Sequence, residues 1–208
     1  MPLFYQQDIN HDTRLGVWHI AEPETFFLEK VPLQRELTHP HKRLQHLAGR
    51  FLLQYLFPDF PYHEMVIANS RKPYLPDEQY HFSISHCGDF AAAIVSKTKR
   101  VGVDIEIPTP KVLKIVPKFL HREEREHFNL LEPAAQDILK ATLLWSAKEA
   151  AFKWWSFGSV DFSEHIRLEP FVPAETGELR GSFAGAGNLY PLQFYYRLFP
   201  GVSLVYAL

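Results

Sequence analysis

Cysteine is nearly absent from this chain. Cys87 stands alone among 208 residues, so no disulfide can form within it. A lone thiol fits a reducing compartment, and packing must hold the core instead. Glycine is also scarce, 10 residues against 16 prolines, which argues against flexible linkers and low-complexity sequence. No apolar run approaches the ~20 residues that span a bilayer; the longest lies around Phe90–Val95. The start, MPLFYQQDINHDTRLG, lacks the basic end and apolar core of a secretory signal. An excess of one charge is missing too. The 22 basic and 24 acidic side chains leave a formal charge of −2, without the basic surplus of a dedicated nucleic-acid binder. These absences predict a soluble, cytoplasmic chain with no membrane and no nucleic-acid partner.

What is present is enough for a sizeable core. Hydrophobic residues make up 46%, and a chain of this length buries about 70% of its unfolded surface. β-rich stretches are predicted at Leu15–Ile20, Glu64–Ala68, His81–Ser85, Phe90–Ser96 and Val101–Ile107. Others follow near His165–Glu169, Glu178–Phe183, Leu192–Phe199 and Val202–Ala207. Helical spacing appears at His41–Phe57, with Leu44, Leu47, Ala48, Phe51, Leu52, Tyr55 and Leu56 on one stripe. A second long helix is predicted from about Ala134 to Trp155, with Ala141, Trp145, Lys148 and Phe152 near one line. A shorter helical region covers Lys111–Leu131. Helices among hairpin-spaced strands read as α+β. The division into one long helix and several strands on each side predicts two similar subdomains, residues 1–100 and 101–208, in which case a monomer suffices.

Three constellations carry chemistry. In Val101–Ile107 the alternation turns Gly102, Asp104 and Glu106 away from the core, so the two acids project side by side at ~6.6 Å. Like charges this close favour a cation between them, and Gly102 leaves room for a ligand near the backbone. Read alone, the segment is equally an ordinary strand with its polar face in water. In Leu144–Trp154, Glu149 and Lys153 share a helix face. They suit a third metal carboxylate and a phosphate cation, or simply a surface i,i+4 ion pair. Residues 37–58 contain no carboxylate, while Arg43, His46 and Arg50 form a cationic stripe, itself consistent with a plain solvated helix face. Arg71, Lys72 and Pro73 follow, then Ser83, Ser85, His86, Cys87 and Gly88, where a hydroxyl, an imidazole and a glycine can offer donors to phosphate. Cys87 has no assisting base in sequence and reads as a small buried side chain.

In order, K-P-Y at 72–74, F-S-I-S-H-C-G at 82–88, V-G-V-D-I-E at 101–106 and W-S-A-K-E-A-x-x-K at 145–153 resemble the 4′-phosphopantetheinyl transferases. More narrowly, they resemble the single-chain Sfp-like type, whose fold joins two α+β halves by pseudo-twofold symmetry. The strong motifs cover Lys72–Lys153; the ends match more loosely. The resemblance implies transfer of the phosphopantetheine arm of coenzyme A to a serine of an apo acyl or peptidyl carrier protein, releasing adenosine 3′,5′-bisphosphate. It implies that Asp104, Glu106 and Glu149 bind Mg²⁺, that Lys153 meets the pyrophosphate, and that His86, Lys72 and Ser85 lie on the phosphate side. Arg43 and Arg50 both suit the 3′-phosphate and adenine region, and the alignment does not choose between them. The base for the serine proton is Glu149, directly or through water, or else Glu124.

One departure stands out. Where family members often carry a Gly-Lys-Gly-like loop, this chain has Trp154-Trp155-Ser156-Phe157-Gly158-Ser159-Val160. The missing lysine removes one phosphate or carrier contact. That loss motivates one alternative, a non-catalytic coenzyme A or carrier-binding module; a second, a Mg²⁺-dependent phosphohydrolase, would use the same acids on water.

Overall fold

In a computed structural model of the chain, the structure describes residues 3–31, 33, 37–68, 72–130, 135–155, 157, 158 and 160–208, the side chains of 135–137 excepted. Four antiparallel strands build the first sheet: β1 (Leu3–Asn10), β2 (Thr13–His19), β5 (His81–Cys87) and β6 (Phe90–Ser96), in the order β1-β2-β6-β5. Five more build the second: β7 (Gly102–Glu106), β8 (Ile166–Leu168), β9 (Thr176–Gly185), β10 (Asn188–Phe199) and β11 (Val202–Ala207), in the order β7-β11-β10-β9-β8. A two-stranded ribbon, β3 (Val66–Ile67) with β4 (Pro73–Tyr74), completes the strands. The helices are α1 (Glu24–Leu28), α2 (Pro40–Leu56), α3 (Val116–Phe119), α4 (Arg122–Phe128), α5 (Ala135–Trp155) and α6 (Phe162–His165). The mixed α+β class expected from the sequence is what is found. Among the described residues no helix is long and apolar enough to cross a membrane.

β1, β4, α1 and α6 were not expected from the sequence. β1 alternates half-buried with exposed positions along its whole length, as an edge strand does, but Gln6, Gln7 and Asp8 mask the pattern. α1 is a single turn and carries too little periodicity to be read. The helical region expected over Lys111–Leu131 breaks into a 3₁₀ turn (Pro110–Lys114), α3 and α4. Pro110 and Pro117 each sit in the first turn of a helical segment, where their missing N–H is tolerated. Leu131 lies outside the described residues.

Each sheet receives one long helix. α2 starts with Pro40 at its first position and buries Leu47, Ala48, Leu52, Leu53 and Leu56 against Ala91, Ala93 and Val95 of β6. The small alanines let the helix sit close. Closest of all is Gly49, where a Cβ would come within 2.5 Å of Ile84 Cγ2 on β5. α5 buries Ala141, Leu144, Ala147 and Ala151 against Leu179, Phe194 and Val205. The opposite face of the first sheet, through Leu15, Val17, Ala92 and Ile94, shares a core with Val103, Ile105, Leu204 and Tyr206 of the second.

β7 is therefore not a half-exposed strand. Gly102 through Ile105 are all buried. A Cβ on Gly102 would lie 1.9 Å from the Ala150 carbonyl oxygen and 2.9 Å from Trp154 N. The glycine admits the backbone of α5, where the sequence reading had a ligand approaching. Main-chain overlap cannot be relieved by changing a rotamer. Gly102→Ala is expected to displace α5 and lower the melting temperature by roughly 10 °C, or to leave the protein insoluble; thermal circular dichroism of the purified variant checks this.

Candidate active site

The site forms where β5 runs alongside β7 without joining its sheet. With a period of two, Ser83 and Ser85 of β5 both reach β7. Val103 N donates to Ser83 Oγ at 3.1 Å, and Ser85 Oγ donates to Asp104 Oδ1 at 2.8 Å. Lys153 comes in from α5 and closes the network. Its Nζ donates to Asp104 Oδ1 at 2.7 Å, Ser85 Oγ at 2.9 Å and the Val103 carbonyl at 3.1 Å. Asp104 is 2% exposed, and its Oδ2 is buried with no hydrogen-bond partner among the described residues.

A pocket of about 390 Å³ opens beside this network. α5 contributes Trp145, Glu149 and Lys153 to its wall, at i, i+4 and i+8 along one helix face. α2 contributes His46 and Arg50 from the other side, and β5 and β7 contribute Ser85, His86, Asp104 and Glu106. Three carboxylates and several basic groups thus line one hollow.

Its electrostatics follow from that crowding. Burial pushes the Glu149 carboxyl up to about 7, against the pull of Lys153 and with the help of Asp104 and Glu106. Burial also raises Glu106, and the Asp104 charge adds to it. His86 is lowered by burial, with Lys153 contributing. The acids repel one another, and the Lys153 ammonium paired with Asp104 offsets this only in part. They do not form a closed cage: among the described residues no three His, Cys, Asp or Glu side chains are grouped as a ready metal site. They line the pocket as an open set of oxygens, one of them the orphaned Asp104 Oδ2.

The pocket gathers most of the residues singled out in the sequence: Arg50, Ser85, His86, Asp104, Glu106, Glu149 and Lys153. Three others lie elsewhere. Arg43 turns toward α1 and forms an ion pair with Glu24, so it is Arg50 that faces the pocket, its Nη1 2.9 Å from His46 Nδ1. On a helix, residues seven apart need not look at the same neighbour when a second element covers one end. Lys72 donates to the Lys153 carbonyl and forms part of the wall of a separate hollow of about 530 Å³, with Tyr74, Arg100, Trp154 and Phe157. Burial, aided by Arg100 and Lys153, pushes its ammonium down to about 8.

Glu124, the other candidate for the base, lies away from the pocket. It is 5% exposed, and both its oxygens are engaged: Oε2 with Lys148 Nζ at 2.6 Å and His121 N at 2.9 Å, Oε1 with Leu168 N at 2.9 Å. It caps α4 and pins β8, and it does not line the pocket. Its neighbours Glu123 and Glu126 are exposed, as a solvated helix would have them. Arg71, Ser156 and Ser159 lie outside the described residues.

Trp145 was missed as a site residue. Its indole N–H donates to Glu106 Oε1 at 3.3 Å. The signal available was its position one turn before Glu149 on the same face. Lys148 was read only as part of an apolar line, and it is fully buried there.

A family model described as the 4′-phosphopantetheinyl transferase superfamily matches residues 100–196. That match takes in just under half of the chain. Enterobactin synthase component D of Escherichia coli (strain K12) is 35% identical over 133 residues, 59% of this chain and 60% of that protein. The component D of Salmonella typhi is 30% identical over 145 residues, 68% of this chain and 57% of its own. The 4′-phosphopantetheinyl transferase AcpT of Escherichia coli (strain K12) is 29% identical over 135 residues, 61% of this chain and 68% of AcpT. The chain thus spans about three fifths of the component D relatives it matches. The superfamily match takes in Asp104, Glu106, Glu149 and Lys153; Arg50, Ser85 and His86 come from outside it.

Proposed function

We propose that this protein transfers the 4′-phosphopantetheine arm of coenzyme A to a serine hydroxyl of an apo acyl or peptidyl carrier protein, releasing adenosine 3′,5′-bisphosphate. The observation that carries the reading is the single pocket in which Asp104, Glu106 and Glu149 face Arg50, His86 and Lys153. A phosphorylated substrate needs both kinds of group: cations for its oxygens, and acids for the divalent ion that accompanies it.

Asp104, Glu106 and Glu149 fit Mg²⁺. The orphaned Asp104 oxygen and the two raised carboxyls are groups that a divalent cation would satisfy. An open set of acids suits an ion that keeps water and substrate phosphate among its ligands. When bound, Mg²⁺ would supply Lewis-acid neutralisation of charge on the pyrophosphate oxygens. Lys153 offers an ammonium to the same oxygens, held in place by Ser85 and the Val103 carbonyl. Arg50 from α2 and His86 from β5 orient the phosphates of coenzyme A. Glu149, raised to about 7 by burial, receives the serine proton directly or through a water molecule as the hydroxyl oxygen attacks the β-phosphorus. The bond to the nucleotide breaks, and the bisphosphate leaves.

The test is incubation of pure protein with coenzyme A, Mg²⁺ and a panel of apo-carriers, read by intact mass. A carrier gaining one arm, with the gain abolished by a chelator and restored by Mg²⁺, is the expected result. Binding of coenzyme A with no transfer to any carrier would leave only the non-catalytic module. Release of phosphate or pantetheine phosphate without a carrier would identify a phosphohydrolase.

The two arginines of α2 separate cleanly. Arg50→Ala is expected to raise KM for coenzyme A about 10-fold or more, the loss of a charge-assisted contact. Arg43→Ala, which breaks only the Glu24 pair, is expected to change it less than about 2-fold, as for a partly exposed ion pair. Steady-state kinetics on both variants decides.

A further inference from the structure

We infer that Trp145 is a positioning residue for the metal-binding carboxylate of Glu106, an inference that rests on the proposed transferase reading. Its indole N–H donates to Glu106 Oε1 at 3.3 Å. Glu106 lies at the end of β7 and is half-buried, without the lysine that fixes Asp104. The Cys87 thiol lies against the same carboxylate from β5. A carboxylate of this kind has several rotamers to choose from, and a directed N–H selects one of them.

Trp145 is itself held rigidly enough to do so. Its ring packs edge-on against Phe119 of α3, centroids 5.2 Å apart at 71°, and lies tilted at 34° against Phe162 of α6 at 5.7 Å. Phe119 is 1% exposed and belongs to the core of the second sheet. Phe162 follows Asp161, whose side chain accepts from the backbone N–H groups of Ser163 and Glu164 and so caps α6. The ring also separates the reaction pocket from a cleft of about 370 Å³ in which Lys118 and Asp161 stand. The segment entering α6 is the one that departs from the family's Gly-Lys-Gly-like pattern. Phe162, two residues beyond Val160, packs on the indole that holds Glu106.

Trp145→Phe keeps an aromatic ring at this position and removes the N–H together with part of the indole. It is expected to weaken Mn²⁺ binding about 10–100-fold, as loss of a group supporting a metal ligand does. Binding is read by isothermal titration calorimetry without carrier. The Mg²⁺ concentration for half-maximal transfer should rise in parallel, while KM for coenzyme A at saturating Mg²⁺ stays within about 3-fold, the split expected when only a metal acid is misplaced. Glu106→Asp shortens the side chain away from the indole, so adding Trp145→Phe to it should cost less than about 3-fold further in Mn²⁺ affinity. Unchanged Mn²⁺ affinity in Trp145→Phe would overturn the inference while leaving the transferase reading intact. So would an additive loss on the Glu106→Asp background. That background also decides the matter if the single variant folds poorly, since a general packing defect would then add in full. Wild-type protein that transfers the arm without binding Mn²⁺ or needing Mg²⁺ would overturn both.

Discussion

Glu149→Gln is expected to fold like the wild type and to transfer the phosphopantetheine arm about 10³-fold more slowly, within the range for loss of a general base. The substitution keeps the shape of the side chain and removes two capacities at once. An amide is a poorer ligand for a hard cation than a carboxylate, and it cannot take the serine proton. Folding should not suffer, because Glu149 is raised to about 7 by its own burial beside Asp104 and Glu106. Neutralising it relieves a repulsion that the native state otherwise carries, so a melting temperature equal to or slightly above that of the wild type is the companion result. Activity near the wild-type level, with carrier modification followed by intact mass, would remove Glu149 from the reaction and with it the proposed role of the pocket.

The parts of the site that were legible in the sequence are those held by short-range geometry. A strand fixes Asp104 and Glu106 two residues apart on one side, and a helix fixes Glu149 and Lys153 one turn apart. Such relations survive whatever the tertiary structure does. The β-strands after residue 80 were placed for the same reason, since their alternation is dense and their turns short. What sequence did not decide depends on which element covers which. Arg43 and Arg50 are equivalent on an isolated helix, and only the packing of α1, with Glu24, separates them. Gly102 reads as a gap for a ligand until α5 is seen to fill it with the Ala150 carbonyl. Lys72 sits in a motif associated with phosphate, yet its ammonium reaches the Lys153 carbonyl on the wall of a different hollow.

Glu124 shows the same limit most sharply, and it leads to the largest expected effect on stability. In the run His121-Arg122-Glu123-Glu124-Arg125-Glu126 every acid looks alike, and nothing local marks the one that turns inward. The mark is distant: Lys148, 24 residues later, placed on the buried line of α5. Its ammonium is fully enclosed, and burial holds it down to about 8 although Glu124 works against that. It donates to Glu124 Oε2 at 2.6 Å, the Ile166 carbonyl at 2.8 Å and the Phe162 carbonyl at 3.0 Å, so its three protons are all used. One side chain thereby ties α5 to α4, α6 and β8. Lys148→Met leaves a buried carboxylate without its cation and removes the lysine's bonds to two carbonyls. It is expected to cost about 3–5 kcal/mol, a fall of roughly 10 °C in melting temperature. Adding Glu124→Gln removes the uncompensated charge while keeping an acceptor for Leu168 N, so the double variant should melt above Lys148→Met alone. Glu124→Gln by itself, assayed below its melting transition, should keep transfer within about 3-fold of wild type, far less than loss of a general base would cost. A stable Glu124→Gln protein that had lost transfer would return Glu124 to the reaction as its base. A melting temperature unchanged in Lys148→Met would mean that the buried pair contributes nothing to the fold.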